Sequence, residues 1–329
     1  MPLKTYFKKN LLALFSYLPG NVKIATYRAL GATIGDEVEL GSGSFILPFD
    51  GDFRKIRIGN EVIIDDHVRI MAKYLSLGDY TQIRDRTRIW GESAFSMGTG
   101  SYLDRACNLD LRRDIVFGDE VVVSGGSWFY THAVFQSALA GAPFSMGAIR
   151  VEDRAYLGAN VFVLPGIVIG HDTMVGARSV VTRDVSPDTV VLGNPARSAG
   201  KVSDRRKQLG PDEKDRLVRE ILDRFVSVYD RNAVQLANTG NEGYSLRYGR
   251  TIVYYHPRIH SVEMLESIGK TGRPSLILSF DIPEDVRKYC TVHGIGWLDL
   301  GTSGRSEKPS DVSRTIERSF GNYGVRFFS

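Results

Sequence analysis

The stretch Val151–Thr182 reads VEDRAY LGANVF VLPGIV IGHDTM VGARSV VT. Broken into blocks of six, every block opens on an aliphatic residue: Val151, Leu157, Val163, Ile169, Val175 and Val181. Glycine follows at 158, 170 and 176. A period of six is neither a helix nor a single strand, and thirty residues of one extended strand would be absurd in a globular chain. Regular turning satisfies it. Each block makes a short strand and a corner, and three blocks close a triangular coil. The aliphatic residue points inward onto its equivalents in the coils above and below. Adjacent coils then pair as parallel strands about 4.8 Å apart. Gly, Asn and Asp after the aliphatic residue are expected to supply positive φ at the corners.

The pattern runs upstream with slips of a few residues. Ile34, Leu40 and Ile46 are followed by Ile58, Ile64 and Ile70; then Leu77, Ile83 and Ile89; Met97, Leu103 and Leu109; Phe117, Val123 and Phe129. The spacing predicts six or seven coils across residues 34–195. Composition agrees with a globular protein: of 329 residues, 43% are hydrophobic and 24% charged. A formal charge of +4 gives no support for nucleic-acid binding. Two cysteines, Cys107 and Cys290, cannot form a disulfide framework and favour a reducing compartment. The early apolar run LLALFSYL is far short of a membrane span and lacks a small-residue cleavage site. A cytoplasmic protein is expected, with the inner membrane surface as a further possibility raised below.

Three segments carry a resemblance. GNPAR (193–197), LGANVFVLPGIVIG (157–170) and VGARSVVTRDV (175–185) resemble the hexapeptide-repeat acyltransferases, which include maltose-, galactoside- and polysaccharide O-acetyltransferases. The resemblance covers residues 20–200 and does not reach 205–329. It implies a left-handed parallel β-helix, where the general preference for right-handed crossovers would have suggested the opposite hand. It also implies a homotrimer that takes an acyl group from acetyl-CoA.

The repeat breaks once, between Phe129 and Val151, where YTHAVFQSALAGAPFSMGAIR is inserted. A loop of that length leaving a regular coil is commonly functional. His132 stands at its root, and the resemblance makes it the general base. The chemistry fits, because a sugar hydroxyl must lose its proton while it attacks a thioester, and imidazole exchanges protons near neutral pH. The resemblance also places an asparagine one coil earlier. That corner falls at Asp104, an aspartate, with Asn108 close by. Either could contact acceptor or His132; a corner aspartate is the plainer reading of Asp104.

A pantetheine arm is long and nearly neutral, and small residues let backbone approach it. Gly158, Ala159, Gly176, Ala177 and Ser179 suit such a groove, which the resemblance places between trimer subunits. Arg183 and Arg197 fall at the two basic positions where the resemblance puts cations facing coenzyme phosphate. The alternative for each is a solvated corner arginine. His67 and His171 are corner-type residues. With His132 they could suggest zinc, but the spacings are wrong for a shared site, and no metal is expected.

Residues 1–33 read as helix, a break at Pro19-Gly20, and helix, with Leu3, Phe7, Leu11, Leu14 and Leu18 on one face. Such a segment would cap the open end of the β-helix, and could also lie on a membrane surface. After the β-helix domain (34–200) and a polar connector, residues 205–329 read as a small α/β domain. A helix begins near Pro211 with a stripe of Leu217, Ile221, Leu222, Phe225, Val226 and Tyr229. RTIVYYH, PSLILSF, IGWLDL and VRFF read as strands; IHSVEMLESIG, PEDVRKYC and SDVSRTIERSF read as helices. Polar residues at the strand ends (His256, Asp281, Asp299 and the run GTSGRS) would suit a ligand site of the open-sheet kind.

The fold class is therefore mainly β: a left-handed parallel β-helix with an N-terminal helical cap and a C-terminal α/β domain. The expected activity is acetyl-CoA-dependent O-acetylation of a sugar hydroxyl on a surface polysaccharide or its precursor. The alternatives are N-acyl transfer to an amino sugar, or a β-helix that is a scaffold or a metal-dependent hydratase.

Overall fold

The computed structural model describes residues 15–134, 137, 139, 141–142, 144–229, 233–238, 243–265, 274–306, 310–321, 325 and 327. Leu3, Phe7, Leu11 and Leu14 of the expected N-terminal stripe lie outside these residues. Among the described residues no helix is long and apolar enough to cross a membrane. The chain divides into two compact units, Met1–Arg206 and Lys207–Ser329.

The first unit is the left-handed parallel β-helix. Seven coils lay their strands into three faces. The first face runs Thr33–Ile34, Ile56–Ile58, Tyr74–Leu77, Ala94–Met97, Ile115–Phe117, Ile149–Val151 and Val168–Ile169. All its neighbours pair in parallel, as Phe95↔Ile115 and Ile115↔Ile149 do. The inward column of repeat residues is buried from Leu40 to Val181, with Ile34 partly covered at the end. A second inward residue stands two places before each repeat residue on the second and third faces. These include Thr81, Thr87, Ser101, Ser127 and Thr173, and they are small because the corner leaves little room. Their hydroxyls serve corner carbonyls: Thr87 Oγ1 donates to Asp104 O at 2.9 Å and Ser101 Oγ to Gly118 O at 2.8 Å. In coils three to five, extra residues between the third and first faces lengthen the strands. The widened interior holds Phe95, Phe117 and Phe129, with centroids 5.5 and 5.1 Å apart.

The corner chemistry differs from the expected one. Positive φ falls three residues after the repeat aliphatic, at Glu37, Glu61, Tyr80, Glu120, Asn160 and Arg178 among others. The glycine directly after the aliphatic residue has a different reason. A Cβ on Gly158 would approach Ala177 N to 2.6 Å, because successive coils stack backbone on backbone there. Those glycines answer crowding between coils, not handedness of the turn.

Both ends of the coil are closed. At the C-terminal end, Arg197–Lys201 folds back antiparallel on Thr189–Leu192 and covers the exposed edge. A cis Asn194-Pro195 bond lies in that turn. At the N-terminal end, helix α1 (Gly20–Ala29) packs Lys23, Ile24 and Tyr27 against the first coil. Lys23 Nζ donates to three carbonyls, Ser16 O at 2.9 Å, Gly41 O at 2.6 Å and Ser44 O at 3.0 Å. Burial pulls the ammonium below its ordinary range, and the Asp66 charge partly offsets this. Tyr27 Oη accepts from Ile46 N at 2.9 Å.

The second unit holds one mixed sheet of six strands in the order Ala233–Asn238, Tyr244–Tyr248, Thr251–Arg258, Ser275–Phe280, Gly296–Asp299 and Gly304–Arg305. Helices α2 (Pro211–Arg224), α3 (Glu284–Val292) and α4 (Asp311–Gly321) accompany it. Three of the four expected strands are present. The fourth, VRFF, is described only at Val325 and Phe327, which carry no strand, and Phe327 packs into the core with Phe320. The segment expected as helix after Ile259 forms only a short 3-10 turn at Val262–Leu265 within the described residues. On α2 the buried residue of the first turns is Val218, while Leu217 faces solvent.

The Lys23 contacts generate a stability prediction. Lys23→Met keeps the length but leaves three carbonyls without a donor. Urea unfolding should show a loss of about 1–3 kcal/mol in the β-helix transition. An unchanged midpoint would mean the lysine plug does not hold the end of the coil.

Candidate active site

The candidate site grows from the regular offset between coils. On the third face Asn108–Leu111 pairs in parallel with Arg88–Gly91 on one side and Trp128–Tyr130 on the other. Leu109 and Leu111 point inward, so Asn108 and Asp110 point outward. Asp110 lies opposite Trp90 and Tyr130, and Asn108 opposite Arg88 and Trp128. The chain leaves the coil immediately after Tyr130.

Thr131 is the anchor of that departure. It is fully buried, and its Oγ1 donates to Asp110 O at 2.7 Å and accepts from Arg113 N at 3.0 Å. The inserted segment then returns as a hairpin, with His132–Val134 antiparallel to Phe144–Met146, and Gly147 N donates to Thr131 O at 3.1 Å. Pinned in this way, His132 reaches back one coil. Its Nδ1 lies 2.9 Å from Asp110 Oδ1, with both side chains partly exposed. A carboxylate at Nδ1 favours the tautomer with the proton there, which leaves Nε2 with a free lone pair.

An aromatic and cationic wall surrounds the pair. Trp128 stacks with Tyr130 at 5.7 Å and with Phe162 of the next coil at 6.1 Å, the latter rings only 12° apart. Arg88 lies over the Trp90 ring at 5.1 Å.

The histidine's partner is thus Asp110, a residue the motif reading passed over. The signal was present: a coil offset of 20 residues sets 110 beside 130, and the alternation in NLDL turns Asp110 outward. Asp104 is engaged elsewhere. Its Oδ1 accepts from Arg105 N at 2.8 Å and its Oδ2 from Gly125 N at 3.1 Å, and Tyr102 Oη donates to it at 3.3 Å. It fastens its corner to the following coil, as Asp79, Asp119 and Asp153 fasten theirs to the preceding one. Asn108 stays beside Asp110 on the outward face.

Of the small residues in the expected cofactor groove, Gly158 is buried, Gly176 and Ala159 are half-buried, and Ala177 is exposed. Ser179 is a correction. Its side chain points into the coil, fully buried, and Oγ accepts from Gly193 N at 3.0 Å, so it offers no hydroxyl to a surface groove. Arg183 and Arg197 are exposed; Arg197 Nη1 donates to Ala196 O at 2.9 Å. Among the described residues no cluster of three His, Cys, Asp or Glu side chains could hold a metal ion. His171 bonds Asp172 instead, and Arg154 and Arg206 hold that carboxyl far below its usual range.

In the second unit the strand-end residues lack the switch point of an open doubly wound sheet among the described strands, because the strand order is monotonic along the sheet. Asp299 is buried and accepts from Asp281 N, Ile282 N, Gly301 N and Arg287 Nη2, which commits it to holding the loops.

No family model matches the chain. Individual relatives do. It is 30% identical over 114 residues to a Schizosaccharomyces pombe protein named "Putative acetyltransferase", covering 34% of this chain and about half (52%) of that relative. It is 28% identical over 183 residues to the Escherichia coli K12 protein named "Putative colanic acid biosynthesis acetyltransferase WcaF", covering 53% of this chain and 85% of WcaF. Both relatives carry the name putative acetyltransferase. Among solved structures it matches the Bacillus cereus N-acyltransferase AntD at 21% identity and a TM-score of 0.38, over 60% of this chain and 95% of that one. It matches the Vibrio cholerae hexapeptide-repeat acetyltransferase VCA0836 at 21% and 0.33, over 59% and 89%.

Proposed function

We propose that this protein transfers an acetyl group from acetyl-CoA to a hydroxyl of a sugar, on a surface polysaccharide or its precursor. The observation that carries the reading is the His132–Asp110 pair at the root of the hairpin. In this reaction Nε2 of His132 takes the proton of the acceptor hydroxyl as its oxygen attacks the thioester carbonyl. Asp110 holds the Nδ1 proton and stabilises the imidazolium that forms. When the tetrahedral intermediate collapses, the C–S bond breaks and the imidazolium returns the proton to the departing thiolate, giving free coenzyme A and the acetyl ester. The aromatic wall of Trp90, Trp128 and Tyr130 suits the apolar face of a pyranose. The names of the relatives support acyl transfer, and WcaF supports a polysaccharide setting. An amino sugar accepting at nitrogen is the second reading.

Kinetics separate base from positioner. His132→Ala should lower kcat by ~10²–10⁴ with little change in acetyl-CoA affinity. Asp110→Asn should lower kcat at least about tenfold within that ceiling, because the amide no longer fixes the tautomer. Thiol release from acetyl-CoA across a panel of sugars and amino sugars is the assay. Parent-like rates in His132→Ala would remove the base from the mechanism, and exclusive turnover of amino sugars would replace the oxygen acceptor with nitrogen.

The coenzyme is proposed to lie along the edge of the later coils near Gly158, Ala159, Gly176 and Ala177, with Arg183 and Arg197 facing its phosphates. Arg183→Glu should then weaken acetyl-CoA by ~1.5–3 kcal/mol. Coenzyme lacking the 3′-phosphate should suffer much less, and equal losses for both would move the contact elsewhere.

A homotrimer completes the proposal. The outward side of the second face carries Tyr102, Val122, Tyr156 and Met174 in adjacent coils, an apolar column suited to another copy. Light scattering should return three times the chain mass. A fully active monomer would refute the shared groove.

A further inference from the structure

Helix α1 breaks the usual amphipathic pattern at Lys23. Its buried side carries Lys23, with Ile24 and Tyr27, while its solvent side carries Val22, Ala25 and Ala29 between Asn21 and Arg28, with Thr26 at the margin. A surface helix ordinarily turns charged residues to water and apolar ones to the core. Here the ammonium is spent on the carbonyls of Ser16, Gly41 and Ser44, and valine is left outside. The flanking turns continue the outward apolar surface. Tyr17 is 64% exposed, Leu18 40%, Val22 43% and Leu30 52%.

The charge of this region is equally lopsided. No Asp or Glu occurs before Asp36, while Lys4, Lys8, Lys9, Lys23 and Arg28 do. Arg28 flanks the apolar surface, its guanidinium on Ile34 O and Gly35 O. The three early lysines lie outside the described residues; in the sequence they are interleaved with Leu3, Phe7, Leu11 and Leu14. An apolar surface that continues from an acid-free, cationic N-terminal sequence complements one partner well: a bilayer with anionic headgroups, which accepts apolar side chains at its boundary and attracts lysine. A second copy presenting the same cationic face would be repelled.

We propose that the N-terminal face of the protein, formed by Tyr17, Leu18, Val22 and Leu30, docks on an anionic lipid bilayer. The proposal is independent of the reading of the His132 site. It would bring an enzyme acting on a lipid-borne or membrane-extruded acceptor to the surface where that acceptor resides.

The test is co-sedimentation of the full chain with two kinds of vesicle. One is phosphatidylcholine alone; the other has about a third phosphatidylglycerol. Binding to the anionic vesicles should exceed binding to the neutral ones and should weaken in ~0.5 M salt. Val22→Glu/Leu30→Glu should reduce it about tenfold or more while the thermal melt stays in place, since both side chains already face water. Lys8→Glu/Lys9→Glu should reduce it as well, and decides the matter if the first variant does not fold. No sedimentation with anionic vesicles would overturn the proposal. So would undiminished binding by a folded Val22→Glu/Leu30→Glu protein. A change in particle mass in that variant, without vesicle binding by the parent, would assign the face to a second copy.

Discussion

The structure depends on one repeated hydrogen bond, from a strand N–H to a carbonyl one coil away. The parallel strands of the coils are two to four residues long, too short to persist alone. Each is held by neighbours above and below, as Tyr102 N is by Val121 O and Gln82 N by Ser101 O. That bond fixes the height of every coil, and everything else must fit it. The inward aliphatic column stacks because the heights match. Glycine follows the aliphatic residue where the backbones touch. Asp110 and His132, 22 residues apart, become neighbours because one coil uses about twenty of them.

The fold was written plainly in the sequence because the period is imposed by packing. The stacked column of repeat positions admits only apolar residues, so the pattern recurs at each of the seven coils. The corners were less legible. Positive φ is carried by Glu37, Tyr80, Arg154 and Arg178 as well as by asparagine and glycine, so residue type alone does not mark it. The hydrogen bonds of a closed coil can hold an unfavourable backbone in place, and composition then tells little.

The site was half legible. His132 stood out because it interrupts a repeat. Its partner was hidden by the same regularity, because Asp110 occupies an ordinary outward strand position with nothing unusual in its local sequence. Only counting one coil back reveals it. Asp104 drew attention as a corner residue, and corner carboxylates in this fold are already committed to backbone N–H groups of an adjoining turn. Ser179 followed a glycine-alanine motif but falls on an inward position, where side chains serve the core. In the second unit, the hairpin partners Ala233–Asn238 and Tyr244–Tyr248 were missed, since polar and small residues interrupt their alternation. Periodicity is a weak guide where one sheet mixes parallel and antiparallel pairs.

The insertion also bears on how the chain reaches its fold. Most contacts between coils join residues about 20 apart, as Thr99 N to Asp119 does at 20. Folding can therefore advance one short closure at a time, each turn templating the next. At the hairpin the separation rises to 34, between Asp119 N and Asp153. Closure entropy grows only with the logarithm of length, so the longer loop costs about 0.5 kcal/mol more than an ordinary turn. The register resumes beyond it, with Val116 opposite Arg150. A segment that carries His132 can thus change length and composition almost freely, while the coil that positions it is inherited unchanged.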